Sequence, residues 1–346
     1  MMIYAHLRDA PVSPPQMNES ENGLRLNRAR AFNSAMPISR RQTMKPADLV
    51  RLLSLAALWG ASFLFIRIGA PVFGPLTAAF VRVLIGAVTL AACLPWLGLR
   101  WDMRGKWPAV LTLGVVNSGI PFAMYAMAAL WLPAGYSAVF NAMTPLMGVV
   151  IGTLFFAERL TRAKAAGVML GIAGVAVLTR TGPVAFSVDV LLGALACLVA
   201  TACYGLAGFL TRRWITERGG LDSRLVAAGS LVGATLFLLP FSLGALAQHN
   251  TLPDTGAGVW GAMLGLGVVC TALAYILYYR LIADLGPVRS LTVTFLIPPF
   301  GIVWGALLLN ESLSWAHLAG GALIGGAVWM VLRPTRPLPQ PEPARG

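Results

Sequence analysis

Residues 134–178 read AGYSAVFNAMTPLMGVVIGTLFFAERLTRAKAAGVMLGIAGVAVL, and residues 287–331 read PVRSLTVTFLIPPFGIVWGALLLNESLSWAHLAGGALIGGAVWMV. The two stretches align without a gap, 153 residues apart. The identities are Ser137 with Ser290, Pro145 with Pro298, Gly148 with Gly301, Gly152 with Gly305, Glu158 with Glu311, Leu160 with Leu313 and Gly167 with Gly320. An ungapped internal match of this length indicates a duplicated unit.

The duplication extends towards the N-terminus. At the same spacing, Trp107, Gly114 and Tyr125 recur as Trp260, Gly267 and Tyr278. Earlier positions recur 145 residues on, so that Gly60, Arg67 and Leu94 match Gly205, Arg212 and Leu239. Eight extra residues in one loop, near 248–258, account for the change in spacing. We therefore predict two related halves, at residues 49–181 and 186–333, between a disordered N-terminal segment (1–48) and a disordered tail (334–346).

The composition indicates an integral membrane protein. Hydrophobic residues make up 57% of the chain and charged residues 11%, whereas soluble domains carry about 25% charged residues. The net charge of +13 does not predict nucleic-acid binding, because the charges lie in short loops between apolar runs. The three histidines and four cysteines are scattered without metal-ligand spacing. We expect no metal and no cofactor.

Ten apolar runs have the length needed to cross about 30 Å of hydrocarbon as helices. The predicted fold is therefore all-α, with ten transmembrane helices. The runs are Leu52–Ala70, Leu76–Leu97, Val110–Leu130, Ala134–Phe156, Ala165–Leu178, Val190–Leu210, Leu225–Gly244, Val259–Tyr279, Val288–Leu309 and Trp315–Val331.

The positive charges predict how these helices are oriented. Of the 26 Lys and Arg residues, 23 fall before the first run, in the even-numbered loops or in the tail. The positive-inside rule then places both termini in the cytoplasm. Since each half contributes five helices, an odd number, the second half enters the membrane inverted relative to the first. Inverted repeats are typical of alternating-access transporters.

Four segments carry a resemblance to a known family. They are LAALWGASFLFIRIG (55–69), AAFVRVLIG (78–86), TPLMGVVIGTLFFAERLT (144–161) and IPPFGIVWGALLLNESLS (297–314). With the repeat, they resemble the EamA-type permeases of the drug/metabolite transporter superfamily over residues 50–333. The resemblance implies a multi-pass protein of a bacterial inner membrane that exports small solutes such as amino acids, metabolites or drugs. Relatives in the superfamily include nucleotide-sugar and triose-phosphate carriers.

Two arginines lie within predicted helices and are candidates for holding a substrate anion. Arg82 lies about six residues into its run, roughly 9 Å deep, where a charged group is expected to face a water-filled cavity. Arg67 lies nearer the end of its run. Either guanidinium can bind a carboxylate or phosphate through paired hydrogen bonds. The alternative for both is that the side chain extends to the membrane surface.

Several aromatic and amide side chains also lie within the runs. Aromatic residues with a polar atom suit a cavity for an amphipathic solute, although packing against neighbouring helices explains them as well. The candidates for substrate binding are Trp59, Tyr125, Tyr204, Tyr275 and Tyr278, with Asn117 and Asn141 as uncharged polar groups that contact either substrate or a neighbouring helix.

Prolines and glutamates complete the candidates. Helical hydrogen bonds are lost at Pro121, Pro145, Pro298 and Pro299, so these positions are either hinges or static kinks. Glu158 and Glu311 end their runs and are explained by helix capping or ion pairing. The sequence places no Asp or Glu at mid-membrane, which argues against a buried carboxylate proton relay.

The sequence therefore predicts a secondary transporter of a small metabolite, in particular an exporter, rather than an enzyme. An embedded transferase is the alternative from another class, but its Asp-rich motif is missing from the sequence. A nucleotide-sugar or phosphorylated-metabolite exchanger is the alternative within the superfamily. The expected partners are a small-molecule substrate and the lipid bilayer, without nucleic acid. A homodimer is left open.

Overall fold

The computed structural model describes residues 45–182, 184–249, 256–285, 290 and 292–332, and these residues form helices and short connections without a strand. The predicted tail (334–346) and nearly all of the predicted N-terminal segment (1–48) lie outside the described residues. Positions 46–48 of that segment already belong to the first helix.

Eleven helices follow one another in the described part of the chain. They are α1 (Pro46–Phe73), α2 (Pro75–Cys93), α3 (Trp107–Trp131), α4 (Ala134–Asn141), α5 (Thr144–Phe155), α6 (Arg162–Thr181), α7 (Val188–Trp214), α8 (Ser223–His249), α9 (Ala257–Leu285), α10 (Val293–Leu309) and α11 (Trp315–Leu332). All are apolar, as expected for a chain that lies in a bilayer.

The helices account for most of the predicted spans. Eight of the described helices are long and apolar enough to cross a membrane, and α4 with α5, bent by 45°, makes a ninth. The remaining predicted span corresponds to α10, an apolar helix of 17 residues. At 1.5 Å per residue, α10 is about 25 Å long, so the total of ten spans stays a prediction.

Local sequence explains where several helices begin. Proline occupies the first or second position of α1, α2, α3 and α5, where its missing N–H is not needed by the helix. The hydroxyls of Thr161 and Ser187 accept hydrogen bonds from the backbone N–H groups of Lys164 and Val190 and thereby cap α6 and α7. Gly74 adopts φ +75° between α1 and α2, which allows these helices to turn back within one residue.

The two halves pack in a repeated pattern. A Cβ on Gly60 of α1 would lie 2.7 Å from Cβ of Phe300 in α10, and a Cβ on its counterpart Gly205 of α7 would lie 2.9 Å from Cα of Gly148 in α5. Phe300 and Gly301 are in turn the counterparts of Met147 and Gly148. Each half therefore inserts its first helix against the same part of the other half, as a two-fold relation between the halves requires.

The last helices of the two halves pack on each other. In α6, Gly167 approaches the Ala327 carbonyl of α11, while Gly174 approaches the Gly320 carbonyl and Ile324. On α11, a Cβ on Gly321 or Gly325 would meet no described atom within 4 Å, so this helix contact uses Gly320. The homodimer stays a prediction.

Candidate functional site

Arg82 is the buried cation of the helix bundle. Its side chain leaves α2 and is 7% exposed. Its Nε donates a hydrogen bond to Thr271 Oγ1 of α9 over 3.2 Å, and its guanidinium lies 3.6 Å from the centre of the Phe122 ring of α3. A hydrogen bond and a cation–π contact thus fix the orientation of this guanidinium. Thr271 and Phe122 were missed at the sequence level, since neither residue type differs from ordinary helix packing.

The charge of Arg82 has no ion-pair partner in the part of the chain that the structure describes. None of the ion pairs formed by the described residues includes Arg82. Within the same residues, the Nη1 and Nη2 atoms of Arg82 have no hydrogen-bond partner. Neither atom belongs to the buried polar atoms that lack both a partner and access to solvent. A buried and unpaired charge is costly. The arrangement therefore leaves two N–H groups on each nitrogen available to an anion.

Two tyrosines and one cysteine of the second half face this guanidinium. The titratable groups that face Arg82 are Tyr204 of α7 together with Tyr275 and Cys270 of α9. The hydroxyl of Ser118 in α3 is fully buried beside the Tyr275 hydroxyl. Arg82 therefore lies among neutral polar groups that tolerate a bound anion.

The predicted aromatic residues form two equivalent contacts. The rings of Tyr125 and Tyr204 are 6.3 Å apart and nearly parallel, and those of Tyr278 and Trp59 are 5.2 Å apart. Tyr125 is the repeat counterpart of Tyr278, and Tyr204 is the counterpart of Trp59. The Tyr125 hydroxyl donates to Asn141 Oδ1 over 3.1 Å. The structure thus brings Tyr125 together with Tyr204 and Asn141, and Trp59 together with Tyr278, and of these residues Tyr204 faces Arg82.

The middle of α3 and of α9 departs from α-helical geometry. Residues Val115–Gly119 and Gly265–Leu273 are π-helical. Asn117, which is half-buried, lies in the first of these segments. Pro121 follows it, but the equivalent position of the second half is Ala274. Since both halves have the segment and only one has the proline, Pro121 alone does not explain it. Such π-helical segments are frequent at functional sites.

The other predicted hinge prolines differ from each other. Pro145 is the second residue of α5 and follows the 45° bend between α4 and α5. Pro298 and Pro299 lie inside α10, which continues through them. Only Pro145 therefore marks a break between the described helices.

Arg67 lies apart from the Arg82 site. Its Nη1 donates to the carbonyl oxygen of Ala129 in the last turn of α3. Together with Glu311, it lines a cleft of about 410 Å³. Glu311 does cap a helix, as one of the sequence interpretations proposed, since its Oε1 and Oε2 accept the backbone N–H groups of Ala134 (2.9 Å) and Gly135 (3.4 Å).

Glu158, the counterpart of Glu311, forms an ion pair instead. Its Oε2 lies 3.4 Å from Nζ of Lys164, six residues away in the chain. Among the described residues, no three His, Cys, Asp or Glu side chains are grouped in a way that holds a metal ion. The charged groups that the described residues offer to a ligand are therefore arginine and lysine side chains and carboxylates, which lie at separate positions.

Comparison with known proteins agrees with this architecture. The sequence profile of the EamA-like transporter family matches the chain twice, at residues 49–180 and 191–333. A solved crystal structure with 21% sequence identity superposes with a TM-score of 0.56, over 83% of this chain and 97% of the other, which supports the shared fold.

Two curated relatives that match more than four fifths of the chain are named as transporters. A "Probable terminal-alkyne amino-acid exporter" of Streptantibioticus cattleyicolor is 26% identical over 84% of this chain and 96% of its own length. A "Probable amino-acid metabolite efflux pump" of Salmonella typhimurium is 28% identical over 83% of this chain and 95% of its own length. With both halves matched by the family profile, the chain belongs to the EamA-like transporter family and is a multi-pass membrane transporter.

Proposed function

We propose that this transporter exports amino-acid metabolites by alternating access, with the substrate carboxylate held by Arg82. The observation that carries the proposal is the unpaired guanidinium, which is buried, oriented by Thr271 and Phe122, and has free Nη1 and Nη2 atoms. A carboxylate bound to both nitrogens supplies the missing counter-charge. The amino-acid class is suggested by the names of the two relatives.

The aromatic pairs are proposed to form the walls for the rest of the substrate. Trp59 with Tyr278, and Tyr125 with Tyr204, supply the aromatic surface, while Tyr204 and Tyr275 lie beside the guanidinium. Asn141 and Asn117 are the amide groups proposed to face the polar part of the substrate. An amphipathic solute with one carboxylate fits this combination of groups.

Alternation is proposed to use the repeated packing of the two halves. Because α1 packs on α10 as α7 packs on α5, exchanging the conformations of the two halves moves the opening from one face to the other. The bend before Pro145 is the proposed hinge of the first half. Pro298 and Pro299 are proposed as the corresponding flexible positions in α10, and Pro121 as the one in α3.

The distribution of charge supports a cytoplasmic position for both termini, in a bacterial inner membrane. Bacterial relatives support the same location. We propose that the two repeats occupy residues 49–181 and 186–333. In this orientation Glu158 faces the cytoplasm and Glu311 the opposite side.

Counterflow in proteoliposomes tests the function. Vesicles that contain the purified chain are loaded with one unlabelled solute and diluted into the labelled form, and a panel of amino acids, N-acetyl amino acids, sugars and nucleotide-sugars is compared. We expect transient accumulation of an amino-acid-type solute. Arg82→Gln should lower the apparent affinity about tenfold or more, since hydrogen bonds to charged groups contribute about 1.5–3 kcal/mol. Arg82→Lys should retain part of the affinity.

The matched control is Arg218→Gln, which removes an exposed arginine from the short helical turn Thr216–Arg218 and should exchange solute as the parent does. If the parent exchanges none of the panel, with or without an imposed proton gradient, the proposal is wrong. The assignment of Arg82 is wrong if Arg82→Gln matches the parent for every solute.

A second candidate is exchange of phosphorylated metabolites, because the free edge of the Arg82 guanidinium also matches a phosphate. In the same panel, exchange of nucleotide-sugars without amino acids would favour this candidate over the first.

A further inference from the structure

A charged cleft lies apart from the Arg82 site. Arg67, Ile68 and Pro71 of α1 line it together with Leu130 of α3, and with Leu309 and Glu311 at the end of α10; its volume is about 410 Å³. We call it the Arg67 cleft. Four of its six lining residues are apolar, and its charged groups are one cation and one anion.

The backbone fixes the cation of this cleft. The Nη1 atom of Arg67 is bonded to the Ala129 carbonyl oxygen, one of the carbonyls at the end of α3 that have no partner within the helix. In the part of the chain that the structure describes, the Nε and Nη2 atoms of Arg67 have no hydrogen-bond partner and are not sealed from solvent. The guanidinium is therefore anchored through one nitrogen while the other two remain available.

The backbone fixes the anion as well. Both oxygens of Glu311 accept N–H groups from the first turn of α4, where a helix favours negative charge. Glu311 can fold back in this way because Gly305 has no side chain; a Cβ there would lie 2.2 Å from Glu311 Oε2. Each carboxylate oxygen keeps a second lone pair that a ligand can use.

The two charges do not neutralise each other. Arg67 and Glu311 line the same cleft, yet no ion pair within 4.0 Å joins them among those of the described residues. Each is tied to a different helix end, so both charges are held in place but apart. A ligand that fits between them needs an anionic group, a cationic group and an apolar remainder.

We propose that the Arg67 cleft binds the zwitterionic head of an apolar α-amino acid. Arg67 binds the carboxylate, Glu311 binds the ammonium group, and Ile68, Pro71, Leu130 and Leu309 surround the side chain. The site rests on the proposed function, because it gives the transported class a second binding position outside the Arg82 site. The two sites differ in chemistry: Arg82 recognises the carboxylate alone, whereas the Arg67 cleft recognises both charges.

The repeat supplies matched controls for this site. Arg212 and Glu158 are the counterparts of Arg67 and Glu311, but each forms an ion pair close by in the chain, Arg212 with Glu217 (3.0 Å) and Glu158 with Lys164 (3.4 Å). Their charges are already satisfied. Substituting them removes the same residue types from equivalent positions without changing the cleft.

Equilibrium binding to the full-length chain in detergent tests the proposal. Arg82→Gln serves as background so that the first site does not contribute. Calorimetry compares three probes with the same apolar part: L-leucine, 4-methylpentanoate, which lacks the ammonium group, and 3-methylbutylamine, which lacks the carboxylate.

Adding Arg67→Gln should weaken the binding of L-leucine and 4-methylpentanoate about tenfold, because paired hydrogen bonds to the carboxylate are lost. The binding of 3-methylbutylamine should be unchanged. Adding Glu311→Gln, whose amide oxygen still accepts one of the two α4 N–H groups, should weaken the binding of L-leucine and 3-methylbutylamine and spare that of 4-methylpentanoate. Arg212→Gln and Glu158→Gln should affect no probe.

Three results overturn the proposal: the background protein binds no L-leucine, the two cleft variants behave like the controls, or each cleft variant weakens all three probes equally, as a loss of structure would. Its failure is distinguishable from failure of the carrier function. Counterflow of L-leucine by the parent tests the carrier, whereas the probe pattern in the Arg82→Gln background tests only the cleft.

Discussion

The two halves of this transporter share their packing but not their charges. Arg82 in α2 has Ala227 as its counterpart in α8, and both side chains are buried. The two residues that contact the Arg82 guanidinium have counterparts that lie next to each other, because Thr271 matches Ser118 and Phe122 matches Tyr275. A symmetric surrounding thus holds a single cation. This difference between the halves indicates that the symmetric packing serves the movement between two states, while one asymmetric residue sets the preference for a substrate.

The ends of α5 and α10 likewise share their backbone conformation but differ in their charged contacts. Ala157 and Asn310 are counterparts and both adopt φ +53°, and the glutamate that follows each folds back towards Gly152 or Gly305. The backbone is therefore repeated. The partners of the two glutamates are not, since Glu158 pairs with Lys164 of its own half whereas Glu311 caps α4 of the other half.

The largest loss of stability is expected from substituting the tightly packed glycines, because they form the packing that the two halves share. Gly60→Ala and Gly205→Ala should each destabilise the protein by about 1–3 kcal/mol, because the added Cβ meets another helix and overpacks the contact. Thermal unfolding followed by size-exclusion chromatography measures the loss.

Gly208→Ala is the control on α7, because a Cβ there meets no described atom within 4 Å. It should be neutral or slightly stabilising. If Gly205→Ala matched Gly208→Ala, the close contact of α7 with α5 would be disproved.

Substituting the two glutamates should affect stability differently at the end of α10 and at the end of α5. Glu311→Ala should cost about 1–2 kcal/mol, because it removes a charged cap from α4. Glu158→Ala should cost less than about 1 kcal/mol, as for a partly exposed ion pair. The two unfolding temperatures in the same detergent provide the measurement, and equal losses would contradict the distinction between cap and ion pair.

The repeat-related hydroxyls should differ in their effect on anion binding. Thr271→Val removes the hydrogen bond to Arg82 Nε and should weaken binding of a carboxylate substrate by about fivefold, equivalent to about 1 kcal/mol. Ser118→Ala should change it less than twofold. Binding titrations on both variants test this, and an effect of Ser118→Ala as large as that of Thr271→Val would show that the surroundings of Arg82 are not divided in this way.

Much of the fold could be predicted from the sequence, because helix length, hydropathy and the repeat are local or periodic properties. Pro145 indicated the bend between α4 and α5, but Pro298 and Pro299 lie within a continuous helix, so proline alone did not predict a break. The partners of Arg82 and the cap on α4 could not be predicted, because they join residues such as Arg82 and Thr271, or Ala134 and Glu311, that are far apart in the chain.

The smallest expected effect concerns the left-handed residues at the helix ends. Ala157→Gly should stabilise the protein by about 0.5–1 kcal/mol, since alanine at positive φ is strained and glycine is not. Asn310→Gly should change stability by only a few tenths of a kcal/mol, because asparagine tolerates this conformation. A stabilisation by Asn310→Gly equal to that by Ala157→Gly, seen in thermal unfolding, would argue against this explanation.

The central claim is that the two halves are inverted relative to each other, and the accessibility of two equivalent positions tests it most directly. Arg159 and Ser312 are counterparts, both exposed, in the connections that follow α5 and α10. In a variant without the four native cysteines, Arg159→Cys and Ser312→Cys are introduced one at a time and exposed in intact cells to a membrane-impermeant maleimide. We predict that the cysteine at position 312 reacts from outside, whereas the one at 159 reacts only after the membrane is opened. Reaction of both positions from the same side would contradict the inverted arrangement.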